Sequence, residues 1–376
     1  MKRIHRDVRP GARWRRRLVG MLTLVGVSLW AVAALAETDV GPGAARDLCL
    51  SPDGDLPEPP QPAWEPAADV GLFIDPSALT AEAAAGGAPP PEGEPQAPAG
   101  DGPPIPLYTV EGTGGCLIVP MAYLVNPGPP GTKVGMPSVG YTFIKVGKTK
   151  SVQQVAVSET FYRRIELSYA MDTLDLGNFT DDVRAVFNRD IGDHAVLHNF
   201  NVRGLLIEET DACPAVTAGV TFKYNPSIAR INRRLGGALT AMGVERCNGT
   251  DFTLHATKTF PTLGFGRPVI LNAGIRFSQA SQVGLLGFGD AYRMTGEGSV
   301  ACFVTDWLAV AYEFRQKKDA IATAGDLVRG EDNWHTVCLA FILNEHLAAA
   351  VGWGHFGGVA NEVEDGVWGF QVKYEF

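Results

Sequence analysis

From about residue 107 to the C-terminus, apolar and polar residues alternate in short runs divided by glycine and polar turns. No window there repeats at the helical period. The last run is the clearest. Trp368, Phe370, Val372, Tyr374 and Phe376 share one parity, and Val367, Gly369, Gln371, Lys373 and Glu375 share the other. Side chains alternate across a strand, so this segment has one apolar, aromatic face and one polar face. Ile165, Leu167, Tyr169 and Met171 alternate in the same way with Arg164, Glu166, Ser168 and Ala170. Ala218, Val220, Phe222 and Tyr224 alternate with Thr217, Gly219, Thr221 and Lys223, and Leu271, Ala273, Ile275 and Phe277 with Ile270, Asn272, Gly274 and Arg276. Leu308, Val310, Tyr312 and Phe314 alternate with Ala309, Ala311, Glu313 and Arg315. Further strands are predicted near 116–125, 138–146, 151–158, 195–208, 250–260, 281–288, 298–305, 334–342 and 346–354.

A soluble β-sandwich also alternates, but its apolar rows face a closely packed interior. A transmembrane barrel reverses the pattern, with apolar rows facing lipid, aromatics at the strand ends and polar rows facing the lumen. Tyr169, Tyr224, Phe277, Tyr312, Phe314, Tyr374 and Phe376 fall near the ends of apolar rows, while the opposite rows mix small residues with charges. Mean hydropathy is near zero, far below that of a helical membrane protein. The expected fold is therefore all-β, an antiparallel transmembrane β-barrel over 107–376 with about twelve strands, ten to fourteen at the limits.

If both ends face the periplasm, counting back from Phe376 gives an outer loop at 355–365 and an inner turn at Asn344–Glu345. It then gives an outer loop at 316–332, an inner turn at Thr305–Asp306, an outer loop at Asp290–Glu297 and an inner turn at Gln279–Ser281. The long polar stretch 226–249 breaks the series as a plug, a long turn or an extra strand pair.

The chain start fits an exported protein. Eight Lys and Arg residues precede an uncharged run, Leu18 to Ala36, that ends in Ala34-Leu35-Ala36 before Glu37. This predicts a signal peptide, residues 1–36, cleaved after export through the Sec pathway. Charge then divides the rest. The whole chain carries −9, with 32 basic and 41 acidic residues. Residues 37–106 hold thirteen acids against Arg46 alone, together with 16 of the 26 prolines. Such a segment cannot bury enough apolar surface to offset the entropy of ordering, and is expected to be a disordered, acidic, Pro-rich linker. Val70-Gly-Leu-Phe-Ile74 is its one apolar island, a candidate contact for a periplasmic partner. No basic patch outlasts signal removal, so nucleic acid is not an expected partner. The expected surroundings are outer-membrane lipid, with the barrel-assembly machinery acting on the strand that ends at Phe376.

Four runs carry a resemblance. Arg164-Ile-Glu-Leu-Ser-Tyr-Ala170, Gly249-Thr-Asp-Phe252, Gly284-Leu-Leu-Gly-Phe-Gly-Asp290 and Leu308-Ala-Val-Ala-Tyr-Glu-Phe-Arg-Gln-Lys317 occur in that order. The chain resembles a Gram-negative envelope family of unknown function, whose signal-bearing members are taken to be outer-membrane barrels. The likeness covers about 107–376 and is densest after 249. It implies the barrel fold and supplies no activity. The Pro-rich segment and the six cysteines depart from the family pattern.

Candidate chemistry is sparse, and no catalytic, cofactor-binding or metal-binding residue is assigned. Gly284-x-x-Gly-x-Gly-Asp290 lacks the Gly-Lys-Ser/Thr ending of a phosphate loop, so its glycines are expected to turn a strand at the rim. His194 and His198 would share a strand face about 13 Å apart, at ~3.3 Å per residue, too far to ligate one metal. Ser158, Ser168 and Ser278, with His255, His335, His346 and His355, provide the residue types of a membrane lipase but no Gly-x-Ser-x-Gly elbow. Asp172 and Asp175, like Asp181 and Asp182, are expected to be solvated loop acids without calcium-ligand spacing. Cys213 and Cys247 flank the irregular 226–249 stretch and are candidates for a disulfide in an oxidising compartment. Arg164, Glu166, Asn272, Arg276, Glu313, Arg315, Lys373 and Glu375 are expected to line the lumen. A narrow channel or transport pore for small or hydrophobic solutes is the first expectation. An envelope anchor or adhesion protein is the second and a membrane-embedded lipid enzyme the third, with opposed charges able to close the interior by ion pairing.

Overall fold

The computed structural model describes residues 105–364 and 366–376. The expected signal peptide, the expected linker up to residue 104 and Cys49 lie outside these residues. Twelve antiparallel strands close into a barrel. In chain order they follow a two-residue hairpin formed by β1 (Leu107–Tyr108) and β2 (Gly114–Gly115). The wall begins with β3 (Ser138–Val146), β4 (Lys150–Phe161), β5 (Ile165–Asp175), β6 (His194–Ile207) and β7 (Ala215–Tyr224). It continues with β8 (Asn248–Gly264), β9 (Arg267–Ala280), β10 (Phe288–Phe303), β11 (Leu308–Arg315), β12 (Trp334–Ile342) and β13 (Leu347–His355). A small hairpin, β14 (Gly357–Val359) and β15 (Glu362–Glu364), stands in the last loop before β16 (Val367–Glu375). Each wall strand pairs with its sequence neighbour, and β16 closes the barrel on β3 with Phe370 opposite Phe143 and Val372 opposite Tyr141. Closure leaves no wall edge open to pair with another chain.

The alternation read from the sequence becomes inside and outside. On β16 the odd-numbered residues from Val367 to Glu375 are buried, while Trp368, Phe370, Val372, Tyr374 and Phe376 are exposed. The nine residues of β3, β12, β13 and β16 match the roughly 9–11 that a tilted strand needs to cross a bilayer. Tyr169 and Tyr224 flank the His198 ring at 6.2 and 6.3 Å, which places His198 in the outward aromatic set.

Short turns at 162–164, 208–214, 265–266, 304–307 and 343–346 gather at one end of the barrel with the C-terminus. Longer connections at 176–193, 225–247, 316–333 and 356–366 gather at the other. The sequence-based count departs from this arrangement before Thr305. Asp290–Glu297 is not a loop but part of the sixteen-residue β10, and Gln279 and Ala280 end β9 at the long-loop end. The polar residues Thr295, Glu297 and Ser299 of β10 point inward, so their polarity marks the lumen face rather than a turn. The segment 281–288 is likewise mainly a turn, with Gly284 and Gly287 at φ values of 106° and 95° that favour glycine. The 226–249 stretch is a long loop carrying α2 (Pro226–Arg234) and α3 (Ala238–Ala241), after α1 (Phe179–Phe187) in the 176–193 loop. Asn225 caps α2 by accepting from the Ser227 amide at 3.1 Å, with Pro226 in its first turn.

The predicted strand at 116–125 is the main correction. It is not in the wall, which starts at Ser138; residues 105–125 pass through the barrel interior. Eight strands leave an interior just wide enough for side chains to fill, and twelve enclose more space. Here a second piece of chain occupies it. Inward-facing alanines leave room for that piece: Ala156 and Ala170 meet Tyr108 and Val125, and Ala348 and Ala350 meet Leu107. Two wall glycines allow the closest approaches. A Cβ on Gly140 would lie 2.5 Å from the Tyr108 ring, and one on Gly352 would lie 2.4 Å from a Leu117 methyl.

The Cys213–Cys247 bridge is also overturned. Cys213 is a free, exposed thiol, and Cys247 is disulfide-bonded but not to it. Cys213 precedes Ala215 at the short-turn end, and Cys247 precedes Asn248, which pairs with Tyr224 at the far end of β7. The ten residues of β7, about 30 Å from end to end, divide them.

A plugged lumen as candidate functional site

Two sets of contacts hold the internal segment. The first binds its backbone to wall side chains, because an extended chain inside a barrel has amides that no wall strand can pair. Gln371 acts as a substitute strand, accepting from the Tyr108 amide at 2.8 Å and donating to its carbonyl at 2.7 Å. The Glu313 carboxylate accepts from the amides of Leu117, Ile118 and Val119 at 3.1, 3.0 and 2.8 Å, and from the Thr336 hydroxyl at 2.6 Å. Arg203 donates to the carbonyls of Gly114, Met121 and Tyr123 at 2.9, 2.7 and 2.9 Å. It also pairs with Glu166 at 2.8 Å, and Glu166 accepts from the Val125 amide at 2.7 Å. Asn272 donates to the Pro120 carbonyl at 2.9 Å, and Lys373 donates to that of Pro106. Ala122 is bound on both sides, its amide to Thr257 at 2.7 Å and its carbonyl to Thr217 at 2.5 Å.

The second set is ionic and centres on Glu111 of the internal segment. Lys223 of β7 reaches this carboxylate at 2.5 Å, Arg276 of β9 at 2.9 Å and Arg315 of β11 at 2.8 Å. Asp251 pairs with Lys223 at 2.7 Å and with Arg276 at 2.9 Å. Glu297 pairs with Arg276 at 3.3 Å and Arg315 at 3.0 Å, and lies 2.9 Å from His255. All these side chains are buried, so the cluster holds three fixed cations and three anions out of water. Burying charge in this way is tolerated only when partners are close and nearly all are satisfied.

Seven of the eight expected lumen residues are in this interior: Glu166, Asn272, Arg276, Glu313, Arg315, Lys373 and Glu375. The first six touch the internal segment, and Glu375 pairs with Lys373 at 2.5 Å. Arg164 is not among them. It precedes β5 in the 162–164 turn, and its half-exposed side chain pairs with Glu208 at 3.1 Å at the rim. Arg203, Lys223, Asp251, His255, Glu297 and Gln371 belong to the site as well and are not among the residues expected from the sequence to line the lumen. Strand parity carries a signal for Arg203, which shares the inward row of Leu197, Asn199 and Asn201. Nothing in the pattern marks Glu111. Asp172 is corrected as well: it is buried on β5, bonded by Gln154 at 2.9 Å and Asn199 at 2.7 Å.

The serines do not meet the histidines. Ser158 bonds the Tyr108 hydroxyl at 2.5 Å, Ser278 accepts from the Ala280 amide at 3.0 Å, and Ser168 faces inward. His198 and His335 instead sit at Nδ1 distances of 2.9 and 2.8 Å from the hydroxyls of Tyr169 and Tyr312 on the outer surface.

A third contact joins segment and wall. The Sγ atoms of Cys116 and Cys338, both buried free thiols, lie 3.1 Å apart.

Fold and interior together define a twelve-stranded antiparallel barrel whose lumen is occupied by its own N-proximal segment. The chain belongs to the family described as "Protein of unknown function (DUF3034)", whose model matches residues 106–372 and so takes in both the internal segment and the wall. A comparison with curated proteins finds no match. Among solved structures, the chain is similar to the KdgM porin in complex with disordered oligogalacturonate, with 11% identity over 64% of this chain and 99% of that one, at a TM-score of 0.39. It is similar to the Acinetobacter baumannii outer membrane protein Omp33, with 9% identity over 65% and 99% and a TM-score of 0.37. It is also similar to outer membrane phospholipase A from Escherichia coli, with 6% identity over 64% and 92% and a TM-score of 0.33.

Proposed function

We propose that this protein is an outer-membrane channel for small solutes, closed in this structure by residues 105–125. The exposed apolar rows with aromatic ends support the membrane location, since burying them in lipid removes them from water. The long-loop end then faces outward, and the terminal strand ending at Phe376 faces the periplasm. Sec export and insertion by the assembly machinery belong to the same proposal.

The observation that carries the channel reading is the chemistry of the contact between wall and segment. A sealed barrel is most simply built from apolar packing, because replacing buried ion pairs by well-packed hydrophobic residues is often neutral or stabilising. Here the wall packs apolar side chains on part of the segment, Val110, Ile118, Val119 and Met121 among them, but it also meets the segment through amide, guanidinium and carboxylate groups that water can replace one by one. Shifting the segment would leave a passage lined on one side by these hydratable groups.

An anchor or structural barrel is the second reading. It is favoured by Arg203 and Glu313, each of which fastens several backbone groups of the segment. A lipid enzyme finds no serine–histidine pairing among the serines named above.

The test uses the full-length protein in planar bilayers, first with Cys116 and Cys338 as thiols and then after cross-linking them with an exogenous disulfide. In that exchange the two thiols lose two protons and two electrons, the new S–S bond forms, and the reagent disulfide is reduced to two thiols. Stepwise openings that disappear on cross-linking and return on reduction are the expected result. Absence of conductance and of solute flux in the thiol form would leave the anchor reading in place.

A further inference from the structure

We infer that the solute is a small carboxylate anion, and that Glu111 occupies its binding site as an internal stand-in. This deepens the channel reading and rests on it.

Three observations converge. First, Lys223, Arg276 and Arg315 stand on alternate strands of the wall and all point to one carboxylate, which the wall does not supply. The wall's own anions in the cluster, Asp251 and Glu297, offset two of the three cations. When Glu111 withdraws, one fixed positive charge is left over in a confined site. An arriving anion restores the balance, whereas a neutral solute leaves an uncompensated charge and a cation adds to it.

Second, the cluster is the floor of a cavity that leads toward the long-loop end. Its lining includes six basic residues, Lys223, Arg276, Arg293, Arg315, Lys317 and Lys318, against the acids Glu111 and Asp251. Counting Glu297 and Glu331, which pair with Arg315 and Lys317 from just outside the lining, the surroundings still carry two excess positive charges. Such a field concentrates anions at the mouth and steers them inward. The cavity volume is about 30 Å³ in this state, room for water alone, so a solute has to displace the Glu111 side chain to bind.

Third, the guanidinium of Arg315 is only 2% exposed, and its Nη1 has no hydrogen-bond partner among the described residues. Arg315 lines the cavity, and a buried donor without a partner is costly. A carboxylate larger than the Glu111 group, held bidentately, would satisfy it.

The experiment is calorimetric titration of the full-length folded protein in detergent at low salt, with succinate as the probe and succinamide as its neutral counterpart. Removing the internal competitor with Glu111→Gln is expected to tighten succinate binding by about tenfold or more, as for any ligand relieved of an unfavourable pre-equilibrium. Adding Arg315→Gln to that variant is expected to return binding to the wild-type level or below. In case the Arg315 variant fails to fold, Arg293→Gln with Lys318→Gln probes the mouth. That pair is expected to weaken succinate binding at low salt and to lose its effect near 1 M salt, where the screening length is about 3 Å. Equal binding of succinamide, or no gain in affinity from Glu111→Gln, would overturn the inference. Openings with no preference for anions in Glu111→Gln would sink it while leaving the channel standing. Succinate binding as expected without any conductance would sink the channel reading, and with it the role of the anion as transported solute, while leaving the carboxylate site at Glu111 standing.

Discussion

Replacing Glu313 by alanine probes how the internal segment is seated. The Glu313 carboxylate is the shared acceptor for the amides of Leu117, Ile118 and Val119 at 3.1, 3.0 and 2.8 Å, and it is fully buried. A hydrogen bond to a charged group contributes a net of about 1.5–3 kcal/mol. Three bonds on one carboxylate are not additive, so the loss is set at the low end, roughly 3 kcal/mol for the group. At about 1.4 kcal/mol per factor of ten, the population with the segment unseated should rise by roughly 100-fold. The wall ladder is untouched, since Glu313 pairs with Thr336 and Ser299 through backbone that alanine supplies equally well. Barrel closure, read as the heat-dependent mobility shift on a denaturing gel, should therefore persist. Amide exchange at Leu117–Val119 measures seating without reference to conduction. Exchange at those amides within about threefold of wild type, in a variant that still shows the mobility shift, would refute the claim that Glu313 seats the segment.

Other expected outcomes follow from the same contacts. Arg203→Ala leaves Glu166 buried without its cation and should cost about 3–5 kcal/mol in denaturant unfolding, more than removal of any exposed arginine. Phe370→Arg, at the middle of the outward row of β16, should cost about 2–4 kcal/mol and lower the amount of folded barrel in the membrane fraction. Gly352→Val should unseat the segment, because a Cβ there meets the Leu117 methyl at 2.4 Å; faster exchange at Leu117 with an intact barrel would show it. Mild oxidation with a soluble disulfide should yield a Cys116–Cys338 cross-linked peptide by mass spectrometry, since the sulfurs need to close only about 1 Å from 3.1 Å to reach bonding distance.

Much of the wall was legible in the sequence. Trp368, Phe370, Val372, Tyr374 and Phe376 read as a lipid-facing row because a closed antiparallel sheet imposes a strict period of two on each strand. The same parity placed Asn272, Arg276, Glu313, Arg315 and Lys373 inside. It misled where polarity had two causes: Asp290–Glu297 was polar because its alternate residues face a charged interior, and the same composition describes a loop. Arg164 had the right parity but stood one residue beyond its strand.

What only the tertiary structure decided is what the interior holds. Alternation reports which face a residue takes and is silent on whether that face meets water or another piece of chain. Ala170 reads in sequence as one of the small residues lining a polar lumen, yet it joins Ala156, Ala348, Ala350, Gly140 and Gly352 in making room for Tyr108, Leu107 and Leu117. The apolar run at 116–125 read as a wall strand because burial inside a barrel selects the same residues as burial in lipid. Glu111 has no neighbours in sequence that mark it. Its role exists only because strands β7, β9 and β11, from distant parts of the chain, bring Lys223, Arg276 and Arg315 to one point around it.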